Sequence, residues 1–186
     1  MAVQTGMGDP DAVGGEARVG TAPLFGAYVV FGAFWGVWVV VFADFLAARG
    51  LSEGEIGLRL GALSITSIVT MTLLAPRLNH VRLGHTLAVG LAVFSSGALL
   101  LAAAGGPGVA VGFAAIGIGN GLIDVFVNVG GQLAEVRRGR PVLQYVHAAY
   151  NVGGILGAVC AGLAHTAGVD FRWSLAASGV ARASFT

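Results

Sequence analysis

An all-α bundle of membrane-spanning helices is the fold this sequence predicts, and three observations predict it. The first is composition: of 186 residues, 56% are apolar and only 10% charged, whereas a water-soluble domain carries about a quarter charged residues. The second is a mean hydropathy of +0.84, sustained over runs as long as the roughly 20 residues that a bilayer core asks of one helix. The third is punctuation, because charges, prolines and glycine pairs gather into short breaks between those runs. The lipid bilayer is therefore the expected surroundings. The basic residues are all arginine, and the densest group, Arg137, Arg138 and Arg140, sits between two apolar runs, which gives no surface for nucleic acid.

In chain order, residues 1–22 form a Gly-rich polar tail with Asp9, Asp11 and Glu16 against Arg18. It lacks the basic start and small-residue cleavage site of a secretory signal. Residues 23–181 form the bundle, and 182–186 a terminal tail. The first span, 23–48, is rich in aromatic residues from Phe25 to Phe45, has Asp44 as its charge, and carries Gly32 and Gly36 at the spacing that lets membrane helices approach closely. Ser52 followed three residues later by Glu55 is a capping box that starts the second span, 53–74, with Pro76 at its exit. Arg59, inside that span, can snorkel to the interface. The third span, 87–104, has no ionisable residue, and Gly105-Gly106-Pro107-Gly108 turns the chain into the fourth, 109–134. Pro141 suits the first turn of the fifth, which runs to 164 and carries Gly153 and Gly157. Phe171-Arg172-Trp173 opens a sixth, but only 174–180 is smoothly apolar, under half a crossing. The chain thus reads as five complete transmembrane helices and a truncated sixth. An N-terminus inside the cell places Arg18, Arg77, Arg82, Arg137, Arg138 and Arg140 in the cytoplasm, in line with the positive-inside rule.

Chemistry concentrates between Ile116 and Gly154. On the fourth span Gly117, Gly121, Asp124, Asn128, Gly131 and Glu135 recur at spacings of four and three and so share one stripe. On the fifth, Gln144, His147, Asn151, Gly154, Ala158 and Ala161 do the same. A short loop joins the two spans, so the stripes are expected to face each other or a common cavity. A carboxyl group in mid-membrane costs at least about 2.5 kcal/mol, so Asp124 is expected to face an interior and to bind solute or carry a proton, or else to anchor a neighbouring helix. Asn128, one turn on, fits a solute hydroxyl or a helix contact equally. His147 is the residue type whose ordinary charge change falls in the physiological range, and it serves equally as a packing group. Gln144, Asn151 and Asn120 are weaker candidates of the same kind. Trp35 and Trp38 can stack on a sugar-like solute or simply pack, and Cys160 reads as a small apolar filler. No nucleophile–base pair, metal cluster or phosphate-binding loop is evident; an enzyme, a metal and a cofactor are not expected.

The run from Gly119 to Val129 (GNGLIDVFVNV), then Glu135 to Pro141 (EVRRGRP) and His147 to Ala158 (HAAYNVGGILGA), resembles the fourth and fifth helices of the major facilitator superfamily, nearest to its fucose-permease-like branch and related bacterial inner-membrane transporters. Leu51 to Leu58 is similar to that branch too. The likeness covers about residues 25–173, the six-helix N-terminal half of a normally twelve-helix protein. It departs in the loop after the second span, where Asn79 and His80 stand in place of the family's Asp and Arg, while Gly84 is kept. The resemblance implies half of a major facilitator fold, in which Asp124 and Asn128 line the solute cavity and the second half completes it. The function expected is therefore secondary transport of a small solute, sugar-like and proton-coupled (a symport), in the inner (plasma) membrane. Its rivals are an inactive truncated fragment and a half-transporter that pairs with a second copy.

Overall fold

The computed structural model describes residues 21–78 and 81–183, with side chains to 180. The expected N-terminal tail lies outside the described residues up to position 20, as do Asn79, His80 and residues 184–186 of the expected C-terminal tail. Among the described residues there is no strand, and the chain forms six α-helices: α1 (Thr21–Arg49), α2 (Glu53–Val69), α3 (Leu83–Ala103), α4 (Pro107–Arg138), α5 (Leu143–Thr166) and α6 (Phe171–Ala183). Five stretches are long and apolar enough to cross a membrane, namely α1, α2 with its extension to Leu78, α3, α4 and α5. The protein is thus an all-α polytopic bundle.

Local chemistry accounts for the helix ends. Ser52 and Glu55 form the expected capping box at α2. Its other end widens into a π-helical turn, Thr70–Leu74, and then tightens into a 3₁₀ turn, Ala75–Leu78. Pro76 explains this ending, since it has no N–H to offer Thr72 and its ring would strike that carbonyl. α4 ends at Gly139, whose φ of +61° is the left-handed conformation that glycine takes without strain. Two expectations need correction. α3 begins at Leu83, a turn before the expected 87. Pro141 lies outside α5, which begins at Leu143. Glu135 supplies the start instead: its Oε1 accepts from the backbone N–H of Val142 at 2.8 Å and of Leu143 at 2.9 Å. A carboxylate from α4 thereby satisfies two of the N–H groups that a helix start leaves free.

The helices form an incomplete ring. α5 packs along α1, α6 bridges α1 and α3, α3 packs along α4, and α4 along α2. α2 and α5 stand at the two free edges without packing on each other. Helices α1 and α5 meet backbone to backbone, since a Cβ on Gly32, Gly36, Gly153 or Gly157 would run into the main chain opposite. The α1–α3–α4 core is aromatic: Phe34 and Phe94 meet edge to face at 4.8 Å, and Trp38 and Phe45 each meet Phe113. Such edge-to-face pairs add about 0.5–1.5 kcal/mol each beyond area burial. Trp38 is buried and Trp35 half-buried against Phe34 and Phe94, so both belong to this packing. At the end of α1, the Arg49 guanidinium donates to the Leu101 and Ala102 carbonyls and satisfies the C-terminus of α3.

Candidate functional site

Asp124 sits well inside α4, and its carboxylate is the centre of a small polar network. The Tyr28 hydroxyl, on α1, donates to Asp124 Oδ1 at 2.9 Å. The Asn128 amide, one turn along α4, donates to the Asp124 carbonyl at 2.7 Å and to Oδ1 at 3.3 Å. Helical geometry dictates the second pair, because residues four apart lie one above the other. The first joins α4 to α1, whose Trp38 and Phe45 also pack on Phe113 of α4. Tyr28 is 2% exposed, whereas Asp124 and Asn128 are half-buried. Among the described residues, no arginine or histidine forms an ion pair with Asp124.

Aromatic rings from α5 close on Tyr28. The His147 ring meets it edge-on at 5.4 Å and the Tyr150 ring at 5.9 Å. Tyr150 also meets Phe31 at 5.6 Å. His147 is exposed, with Nδ1 3.0 Å from the Leu143 carbonyl. Of the five residues singled out from sequence, Asp124, Asn128 and His147 are brought together around Tyr28. Gln144 and Asn151 are exposed on α5 and hydrogen-bond to neither Asp124 nor Asn128.

Of the two arrangements expected of the stripes, facing each other or facing a common cavity, direct packing of one glycine stripe on the other is not what the helices adopt. A Cβ on Gly117 or Gly121 would meet Leu63, Thr66, Ser67 and Thr70 of α2, so the small residues of α4 seat α2. Gly153 and Gly157 of α5 seat α1. Close approach needs small residues on at least one partner, and each helix spent its small face on a different neighbour. Asn120 belongs to the α2–α4 seam, donating to Ser67 Oγ at 2.9 Å. Glu135 is a helix cap, and Asp44 pairs with His165 of α5 at 3.2 Å near the far end of the bundle.

Tyr28 and Tyr150 were missed by sequence reasoning. The usable signal was that a buried tyrosine hydroxyl needs a polar partner, and α1 offers Tyr28 no side-chain partner of its own near that level. A separate groove of about 520 Å³ runs between α1, α5 and α6, bordered by Val30, Ala33, Leu156, Cys160 and Trp173 among others. None of the candidate polar residues borders it, and its nearly all-apolar lining gives water few partners. Cys160, expected as filler, is exposed there. Among the described residues, no three His, Cys, Asp or Glu side chains lie close enough to hold a metal ion. No protein-family model, curated protein or solved structure matches the chain.

Proposed function

We propose that the chain is an integral membrane secondary transporter of a small solute, working by alternating access, with Asp124 as the carboxylate that binds the solute or its coupled proton. The observation that carries this reading is a half-buried carboxylate set within a membrane-length helix and held by Tyr28 and Asn128. A carboxylate so placed is costly unless it is used. The resemblance to the major facilitator superfamily supports the same reading. In it this chain is the N-terminal half, seated in the inner membrane with its N-terminus in the cytoplasm, and α2 and α5 are the edges offered to a second half or a second copy.

The test is flux in proteoliposomes of the full chain, with a panel of labelled hexoses and organic cations, with and without a proton gradient. Asp124→Asn is expected to abolish gradient-driven accumulation. Exchange retained in the variant assigns the proton to Asp124; exchange lost with it assigns the solute. Accumulation at the unmodified rate in Asp124→Asn refutes the proposal, and absence of any flux in the parent chain favours an inactive membrane fragment.

A further inference from the structure

Charge is divided unevenly between the two ends of the bundle. Gly117 of α4 seats against Leu63 and Thr66 of α2, and Gly121 against Ser67 and Thr70, so α2 and α4 run parallel. Gly119 seats against Phe94 and Gly130 against Leu83, so α3 runs the other way. The exit of α2, the start of α3 and the end of α4 therefore share one end, and with them Arg77, Arg82, Arg137, Arg138 and, in the loop that follows, Arg140. Arg138 ties in the start of α1, donating to Thr21 Oγ1 at 2.9 Å. The carboxylate at this end, Glu135, is given over to the Val142 and Leu143 N–H groups. Among the described residues, the exposed side chains of Arg82 and Arg140 make no hydrogen bond or ion pair. The opposite end is balanced: Arg49, Arg59 and Arg172 stand with Glu53, Glu55 and Asp170, and Asp44 pairs with His165.

The arginines of the basic end lie in two tiers. Arg77 and Arg82 stand where the membrane-length stretches Glu53–Leu78 and Leu83–Ala103 end and begin, at the edge of the hydrocarbon. From Gly130, level with Leu83, α4 runs on to Arg138, which carries the second tier about 12 Å outward at 1.5 Å per residue. The headgroup layer on one side of a bilayer is roughly 5–8 Å deep. Lipid phosphates thus sit between the tiers. The inner arginines meet them directly, and the outer ones reach them by bending back or act across less than about one Debye length. A guanidinium fork matches two phosphate oxygens at once. A zwitterionic headgroup brings its own cation to such a surface and gains far less.

We propose that this end of the bundle docks anionic phospholipid, with Arg77 and Arg82 on the phosphates of the leaflet it meets and Arg137, Arg138 and Arg140 adding to the field that holds them. The inference stands on the fold and its charge and is independent of transport.

The test uses the full chain, purified in a non-ionic detergent and immobilised by an affinity tag. It is equilibrated with micelles holding acyl-labelled phosphatidylglycerol or phosphatidylcholine, and the lipid retained per chain is counted. Phosphatidylglycerol should be retained at least about fivefold over phosphatidylcholine at low salt, and the advantage should shrink toward parity near ~1 M salt, where the screening length is about 3 Å. One basic residue near an anionic surface strengthens association about fivefold, so Arg82→Gln should lower phosphatidylglycerol retention by about that factor and Arg140→Gln by less. Arg82→Lys, which keeps the charge, should preserve it, and Arg172→Gln, at the opposite end, should leave it unchanged. Circular dichroism checks that each variant stays folded. Equal retention of the two lipids overturns the proposal, as does a preference that persists at high salt, survives Arg82→Gln, or falls as far in Arg172→Gln as in Arg82→Gln. Displacement of the lipid by inorganic phosphate overturns it in favour of a free-anion site, and displacement by an oligoglutamate peptide at matched charge in favour of an acidic protein partner.

Discussion

Gly119 is where the α3–α4 contact can be tested by a single methyl group. A Cβ at this position would lie 2.6 Å from Phe94 Cβ, 2.7 Å from Phe94 N and 2.8 Å from the Gly90 carbonyl. Ordinary contact begins near 3.4 Å, so α3 must retreat by about 0.8 Å, the difference between 3.4 and 2.6. Two of the three obstacles are backbone, which cannot swing aside as a long side chain would. Phe94 is itself fully buried and holds Phe31, Phe34 and Trp35 on its ring, so the retreat loosens the aromatic core. Overpacking of this kind costs about 1–3 kcal/mol. Alanine returns about 0.8–1.0 kcal/mol of helix propensity relative to glycine. The net expectation for Gly119→Ala is a loss of about 0–2 kcal/mol, or up to ~8 °C in melting temperature for a chain of this size. Gly57 of α2 is the internal control: nothing lies within 4 Å of its missing Cβ. Gly57→Ala should gain the propensity term alone, raising the melting temperature by ~2–4 °C. Both variants would be melted in one detergent, followed by circular dichroism and tryptophan fluorescence. A rise in melting temperature for Gly119→Ala equal to that of Gly57→Ala would refute the packing argument.

Two further outcomes follow from the polar contacts. Tyr28→Phe removes the donor to Asp124 Oδ1 and should cost about 1–2 kcal/mol, with most of that loss absent in an Asp124→Leu background, which has no acceptor; additive losses in the double variant would mean the pair is not coupled. Glu135→Gln weakens the acceptor for the Val142 and Leu143 N–H groups and should cost about 1 kcal/mol, seen as faster amide exchange at those two positions while the middle of α5 is unchanged.

Much of the fold was legible because a bilayer leaves the chain few options. Backbone groups in hydrocarbon must be satisfied within a helix, so apolar run lengths and breaks at Arg49-Gly50, Gly105-Gly106 and Gly139 locate the spans nearly to the turn. Ser52 with Glu55 was readable as a cap because both partners lie within one turn of sequence. Pro141 misled for the complementary reason. Its ring suits a helix start, but the N–H groups that needed partners were those of Val142 and Leu143, and the group that met them came from Glu135 at the end of the preceding helix. Asp124 and Asn128 were legible as a pair through their four-residue spacing. Tyr28 was not, since it lies 96 positions from Asp124 and only the seating of α1 against α4 joins them. Which glycine stripe meets which helix is likewise hidden in sequence: Gly153 and Gly157 suit any close neighbour, and their choice of α1 over α4 is a property of the assembled ring.

That choice bears on how the candidate site would act. Gly32 and Gly36 with Gly153 and Gly157 fit α1 and α5 together along their length, and Gly90, Gly97, Gly112 and Gly119 do the same for α3 and α4. Each pair is close-packed through its backbone and resists sliding, because small displacements there create clashes rather than gradual loosening. α1 and α4 meet through side chains rather than backbone: Trp38 and Phe45 pack on Phe113, and the Tyr28–Asp124 hydrogen bond is a polar tie between the two helices. Asp124 therefore stands at the seam between two stiffer pairs. Protonation turns its carboxylate from a pure acceptor into a group that also donates, and a bound solute would compete with Tyr28 for the same oxygens. Either event changes a polar contact between α1 and α4 while leaving the glycine-lined contacts untouched. A ligand shifts a conformational balance only by binding one arrangement better than another, and a group at the seam is the one placed to do so.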